Sequence, residues 1–230
     1  PRYSGNGSLY TKDYYELVNK RLREGGIHSQ WIPIYSLTQK NLKEILRAFM
    51  DVFPQTYVWY INSTINPYIV VTAKKTSKEI DLEGFHQVFQ IPTVVADLKT
   101  IGVPDERFMV DFFLMGPEKL SQYVYNSDPH LDDRMTVEYE SSRIMNRQTS
   151  WLANFEELLL YRESPSHYFT HTPQWDAAFS QQFYDSSTLN LNGQLMFIRG
   201  QKDQARNLFQ KAVEMNSIDH DPYEFSKIGF

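Results

Sequence analysis

Leu22-Arg23-Glu24-Gly25-Gly26-Ile27-His28-Ser29-Gln30-Trp31-Ile32-Pro33-Ile34 is the stretch whose reading decides the fold. The glycine pair supplies the left-handed residue at which helices stop. The short run after it has the β-branched and aromatic content of a strand, and Pro33 suits a strand's end rather than its centre. A helix therefore leads into a strand. Upstream, Thr11 can cap that helix, and Asp13 sits where the positive end of the helix dipole favours an acid. Tyr14, Leu17, Val18 and Leu22 recur at helical spacing as one predicted buried stripe. Downstream, Leu42, Ile45, Leu46 and Phe49 repeat the stripe in a helix over 38–53, which Pro54 ends. Runs 56–61 and 68–73 read as strands, parted by turn chemistry at 62–67. The order is α-β-α-β-β with no βα unit in front. It predicts an α/β domain represented by the back half of its sheet, a sheet otherwise parallel that ends in a reversed strand.

Composition narrows the function classes. With 230 residues, 41% hydrophobic and 22% charged, the chain has the make-up of a folded protein with room for a sizeable core. An aromatic share of 15% points first to a tyrosine-rich core and second to an interface. Net charge is -5 and no basic run exceeds Lys74-Lys75, which argues against a nucleic-acid partner. Without cysteine there is no disulfide, thiolate ligand or thiol nucleophile. No apolar run approaches the ~18–20 residues of a membrane-spanning helix, and no signal peptide is visible. The expected setting is the cytoplasm, or the membrane surface as part of a membrane-anchored protein or complex. Residues 1–8 read as an internal loop, so a fragment or processed product is expected.

Further along, short helices are predicted at 80–89, 93–101 (after Pro92, a first-turn residue), 106–114 and 118–124, with a polar ordered loop at 126–135. From about residue 147 the pattern is helical: 149–162, 174–184, 187–199, 202–215 and a start at Pro222. The predicted segments are 1–76, the half-sheet; 77–146, short helices and an acidic loop; and 147–230, a helical tail.

An ordered series of residues carries a family resemblance. Leu9-Tyr10-Thr11-x-x-Tyr14-Tyr15, Leu22-x-x-Gly25-Gly26-Ile27-x-x-Gln30-Trp31-x-Pro33 and Phe49-x-x-Val52-Phe53-Pro54 come first. Asp97-Leu98-x-x-x-Gly102, Phe113-Leu114-x-Gly116-Pro117, Leu131-Asp132-Asp133-Arg134 and Glu138-Tyr139 follow. Over residues 1–146 the chain resembles the spermidine synthase (polyamine aminopropyltransferase) family, in particular its bacterial branch fused to membrane-spanning segments. The resemblance implies the C-terminal half of a Rossmann-like, methyltransferase-type sheet ending in an antiparallel strand. It implies aminopropyl transfer from decarboxylated S-adenosylmethionine to a diamine, with Gln30 and Tyr10 lining the amine site. It also places the Gly-rich nucleotide loop, the acidic ribose-binding residue and the catalytic Asp before residues 1–10, and the family's tyrosine before the last strand is not found at 62–66. No catalytic residue, cofactor or metal is therefore expected in these residues themselves. In the family, strand 27–34 is interior to a larger sheet. The expected partner is the N-terminal half, or another chain, covering an edge that proteins do not leave open. The alternative is a non-catalytic structural or assembly subunit.

A second resemblance lies in the tail. Leu189, Gly193, Met196, Gly200, Ala205, Phe209 and Ala212 have the large/small spacing of a tetratricopeptide repeat (TPR). Small Gly193, Ala205 and Ala212 let two antiparallel helices approach, while Leu189, Met196 and Phe209 fill the seam. The resemblance implies an all-α TPR-like tail that binds protein through Leu189, Gly193, Met196 and Phe209. One repeat cannot bury its own face, so the preceding helices should stack on it as degenerate repeats or a cap. Ser217 stands where the repeat usually ends in Pro.

Other constellations are weaker. His167-x-x-x-His171 has a zinc-like spacing, but Pro165 and Pro173 bracket it and no carboxylate matches it. His130, Asp132 and Asp133 offer ligands for a divalent cation; a solvated loop is the plainer reading. Glu138 and Glu140 alternate about Tyr139 as on a short edge strand, a polar face before it is a carboxylate pair for an amine. Gln30 and Trp31 point to opposite faces of their strand.

Overall fold

The computed structural model describes residues 6–63, 65–75, 80–103, 105–141, 146–169 and 177–216. A 3-10 turn at Gly7–Tyr10 leads into α1 (Lys12–Arg21), β1 (Ile27–Pro33), α2 (Gln39–Val52), β2 (Thr56–Trp59) and β3 (Tyr68–Lys74). Then come α3 (Leu82–Phe89), α4 (Pro92–Thr100), α5 (Arg107–Asp111), β4 (Phe113–Met115), α6 (Pro117–Tyr123), α7 (Thr136–Ser141), α8 (Arg147–Leu160), α9 (Ala177–Ile198) and α10 (Lys202–Met215). Among the described residues the chain is mixed α/β with a four-stranded sheet whose described ladders are antiparallel, not the otherwise parallel sheet expected. Among the described residues no helix is long and apolar enough to cross a membrane.

Local signals place the first elements. The Thr11 hydroxyl accepts from the Tyr14 N–H and the Thr38 hydroxyl from the Asn41 N–H, satisfying donors that a helix start leaves orphaned. Gly25 adopts a φ of 72°, the left-handed turn between α1 and β1. The strand order is β1-β3-β2-β4. β3 runs antiparallel to β1 and to β2, and Val71 is in register with Gln30 on one side and Val58 on the other. The reversed strand thus lies inside the sheet, wedged between two strands that share a direction, and does not form its end. Among the described residues β1 is an edge strand. Every strand has two hydrogen-bonding edges, and β3 uses both.

The chain packs as two compact units, each assembled from separated stretches. The first comprises Pro1–Tyr60, Pro67–Lys78 and Leu114–Glu163. Its core is the inner face of α2, where Leu42, Ile45, Leu46, Ala48 and Phe49 are fully buried, together with Ile32, Val58 and Val71 of the sheet. The stripe expected on α1 is displaced. Tyr15 is the fully buried residue and Leu17 is 53% exposed. Tyr15 turns inward because an aromatic cluster receives it: its ring centroid lies 4.9 Å from Phe49 and 5.9 Å from His28. Asn154 of α8 donates to the carbonyls of Ile34 and Leu37, both at 2.8 Å, and so holds the loop between β1 and α2.

The second unit comprises Ile61–Asn66, Glu79–Phe113 and Ser164–Phe230. Its main feature is the hairpin of α9 and α10, turned at Gly200 with a φ of 79°.

Three further sequence expectations are corrected. The helix over 106–114 stops at Asp111, and Phe113–Met115 forms β4 with all three residues buried. A short apolar run reads equally as buried helix or buried strand until a neighbouring edge decides. Glu138 and Glu140 belong to helix α7, so they do not alternate across a strand. The two helices expected at 174–184 and 187–199 are one, α9 over its described length. Asp185 and Ser186 do not break it, because Gln181 donates to the Asp185 carboxylate at 2.8 Å and the Ser186 hydroxyl donates to the Ala212 carbonyl at 3.1 Å. Residues 1–5, His171, Pro173, Ser217 and the helix start at Pro222 lie outside the described residues.

Candidate functional site

Two places carry the residues singled out above, one in each unit. In the first, Tyr10 ends the 3-10 turn and is 7% exposed. Its hydroxyl donates to the Trp31 carbonyl at 3.4 Å, and the Gln30 amide donates to the same carbonyl at 3.2 Å. The fold therefore brings Gln30 and Tyr10 together on one face of β1. Burial pushes the Tyr10 phenol up; hydrogen bonding with Gln30 opposes this, and the phenols of Tyr35 and Tyr14 add to it. The pair is a neutral donor–acceptor cluster that can orient a polar ligand but supplies no charge. Trp31 points to the other face, as its strand position requires, and packs on Tyr68 with centroids 4.5 Å apart. Among the described residues no strand pairs with the outer edge of β1, along which Ile27 is 63% and Trp31 45% exposed.

The second place is the α9–α10 hairpin. A Cβ built on Gly193 would lie 2.4 Å from Cε1 of Phe209, so the glycine is what allows the aromatic ring to cross the seam. Phe209, Ala205 and Ala212 are fully buried. Leu189 and Met196 are half-buried, short of the burial expected for them, and Met196 packs against the buried Ala205 and Phe209. Met196, Asp203, Gln204, Asn207 and Leu208 line an open groove along the hairpin.

Two polar clusters escaped the sequence reading. In the second unit the Asn62 amide donates to the Asp111 carboxylate at 2.8 Å and to the Ser187 hydroxyl at 2.9 Å, while Gln194 donates to the Asn62 carbonyl at 2.7 Å. All four residues are buried, Asp111 at 2% exposed and the others at 0%. The signal was present as a polar stripe at helical spacing, Ser186/Ser187, Asn190 and Gln194. In the first unit His130 is 1% exposed and sits against Glu44 of α2, not in a solvated loop. Among the described residues no group of three or more His, Asp or Glu side chains is placed to hold a metal ion.

No protein-family model, no curated protein and no solved structure matches this chain.

Proposed function

We propose that the chain is the C-terminal portion of a spermidine synthase-like aminopropyltransferase, carrying amine-side residues but not the parts that hold the nucleotide. The observation that carries the reading is the reversed β3 inserted between β1 and β2, which share a direction. The resemblance implies a sheet that closes with a reversed strand, and β3 is a reversed strand, although it lies between β1 and β2 and not at the sheet's outer end. Gln30 and Tyr10, which the family resemblance assigns to the amine site, meet at one carbonyl on β1, which adds support. Decarboxylated S-adenosylmethionine would be bound by an N-terminal half that also covers the outer edge of β1, in the cytoplasm or on a membrane-anchored protein. Transfer needs both reactants held in one geometry, and Gln30 with Tyr10 can position only one of them.

The test is an aminopropyl-transfer assay with decarboxylated S-adenosylmethionine and putrescine. The purified chain should show no turnover. The full-length natural protein should turn over, and Gln30→Ala in it should raise the KM for the diamine. Turnover by the chain alone, or a full-length protein without transfer, overturns the proposal.

A second reading, a structural or assembly subunit with a TPR-like tail, is favoured by one observation: the open groove beside Met196 on a hairpin closed by Gly193 and Phe209. Helix hairpins of this kind present concave protein-binding surfaces when stacked. A partner captured by the full-length protein and lost on Met196→Glu or Leu208→Glu, with transfer absent, would select this reading.

A further inference from the structure

The turn-rich segment 126–135 is held on the helices beneath it chiefly at His130, with a further hydrogen bond from Asp132. The His130 N–H donates to the Glu44 carbonyl of α2 at 3.0 Å, and the His130 carbonyl accepts from the Lys12 N–H at 2.8 Å. Lys12 opens α1, so His130 satisfies one of the donors that this helix start leaves orphaned. Nearby, the Asp132 N–H donates to the Asp13 carboxylate at 3.1 Å, and the Thr136 hydroxyl to the Glu44 carboxylate at 3.0 Å. The neighbours on either side, Tyr125, Asn126, Asp132, Asp133 and Arg134, are exposed. A handful of hydrogen bonds around one buried side chain therefore closes the segment, the kind of local structure that opens without global unfolding.

The His130 side chain is the unusual member. It is 1% exposed, and neither ring nitrogen is in hydrogen-bonding geometry with a partner, although the Gly7 carbonyl lies beside it. The approach around it is close: a Cβ on Gly7 would lie 2.9 Å from both Glu138 Oε2 and Met135 Cε. The carboxylates that face the ring come from α2 (Glu44), α7 (Glu138) and the segment itself (Asp132). Glu44 is already engaged, by Lys40 at 3.6 Å and by the Thr136 hydroxyl. On the same elements Glu140 lies 3.9 Å from Lys40, and Lys12 pairs with Asp51 at 3.6 Å. Burial lowers the His130 pKa from its usual value; Glu44, the Gly7 carbonyl, Asp132 and Glu138 oppose this without cancelling it.

We propose that His130 is a proton-sensitive latch: neutral, it closes segment 126–135 over the start of α1 and the middle of α2, and protonated it releases that segment. In the closed form the imidazole binds a proton less readily than in the open form, where it returns to the ordinary value of about 6.5. Closure is therefore complete above that value. It weakens as pH falls below it, and levels off once the lower, closed-form value is passed. Between the two values the opening equilibrium changes by about tenfold per pH unit, because one proton is taken up on opening.

The test is NMR on the intact chain, following the His130 ring and the amide exchange of Lys12, His130 and Asp132 between pH 7.5 and 5, with intrinsic exchange rates divided out. The expected result is a ring that titrates below the ordinary histidine value, protection at these amides that falls with pH, and a His130→Gln variant in which the fall is abolished. Protection that stays constant with pH, a ring titrating at or above the ordinary value, or an unchanged pH dependence in His130→Gln overturns the latch. Should the variant not fold, the ring titration and amide protection of the unsubstituted chain decide alone.

Discussion

α2 and α9 each bury one face, and the two differ in balance: that of α2 is mainly apolar, with Asn41 as its fully buried polar residue, whereas a polar stripe runs through that of α9. That of α2 includes Leu42, Ile45, Leu46, Ala48 and Phe49; that of α9 includes Ser186, Ser187, Asn190 and Gln194. The apolar face gains about 1.5–3 kcal/mol for each large side chain removed from water, and asks only for volume. The polar face gains about 0.5–1.5 kcal/mol net per hydrogen bond but loses more when a partner is withdrawn. The comparison separates two ways of specifying a buried helix. The apolar positions of α2 can be repacked by residues of equal volume, whereas the polar stripe of α9 depends on particular partners at Asn62 and Asp111.

The sharpest way to test the apolar side is Phe49→Ala. Phe49 is fully buried, its ring 4.9 Å from Tyr15 and stacked on His28 at 5.4 Å. Truncation should cost about 3–5 kcal/mol in urea denaturation followed at the first unit. Leu46→Met should cost under about 1.5 kcal/mol. Equal losses from the two would end the claim that α2 is read by volume.

On the polar side, Asn62→Ala withdraws both donors from Asp111 and Ser187 and should cost about 2–3 kcal/mol, since the carboxylate stays buried. A melting temperature equal to the parent's would show that the cluster adds nothing. Gly193→Ala comes next. Its Cβ would sit 2.4 Å from Phe209, and overpacking of about 1–3 kcal/mol is partly offset by alanine's better helix propensity, about 1 kcal/mol. A net loss of about 1 kcal/mol is expected by thermal denaturation; a rise in melting temperature would contradict the close approach.

The smallest effect is on the aromatic cluster of the first unit. Burial lowers the His28 pKa from its usual value. The folded form then binds fewer protons than the unfolded one, so its stability is complete above about pH 6.5 and falls as the pH drops below it. His28→Phe should flatten that part of the stability–pH curve relative to the parent, leaving the contribution of His130. An unchanged curve would mean that His28 titrates normally.

Much of the first unit was legible because its signals are local. Thr11 caps α1, Gly25 makes the left-handed turn between α1 and β1, and the α2 stripe is buried as its spacing requires. The candidate site was half legible. Gln30 and Tyr10 meet, and Gly193 faces Phe209, but the His130 and Asn62 clusters were hidden among turn-forming residues whose usual place is the surface.

By itself the sequence determined the order α1-β1-α2-β2-β3, the cap of α1 and the glycine stop after it, and which face of α2 is apolar. These follow from neighbours within a turn or two of the chain. Only the tertiary structure decided that β3 lies between β1 and β2, that 113–115 is a strand, and that α9 continues through Asp185. The same holds for the buried polar residues. Gln194 finds the Asn62 carbonyl 132 residues away and Asn62 finds Asp111 at a separation of 49, so nothing near either residue in the chain announces its partner. A strand has two edges and a polar side chain several allowed partners. The choice among them depends on what the rest of the chain brings into reach, because a buried donor or acceptor must be satisfied wherever its partner comes from.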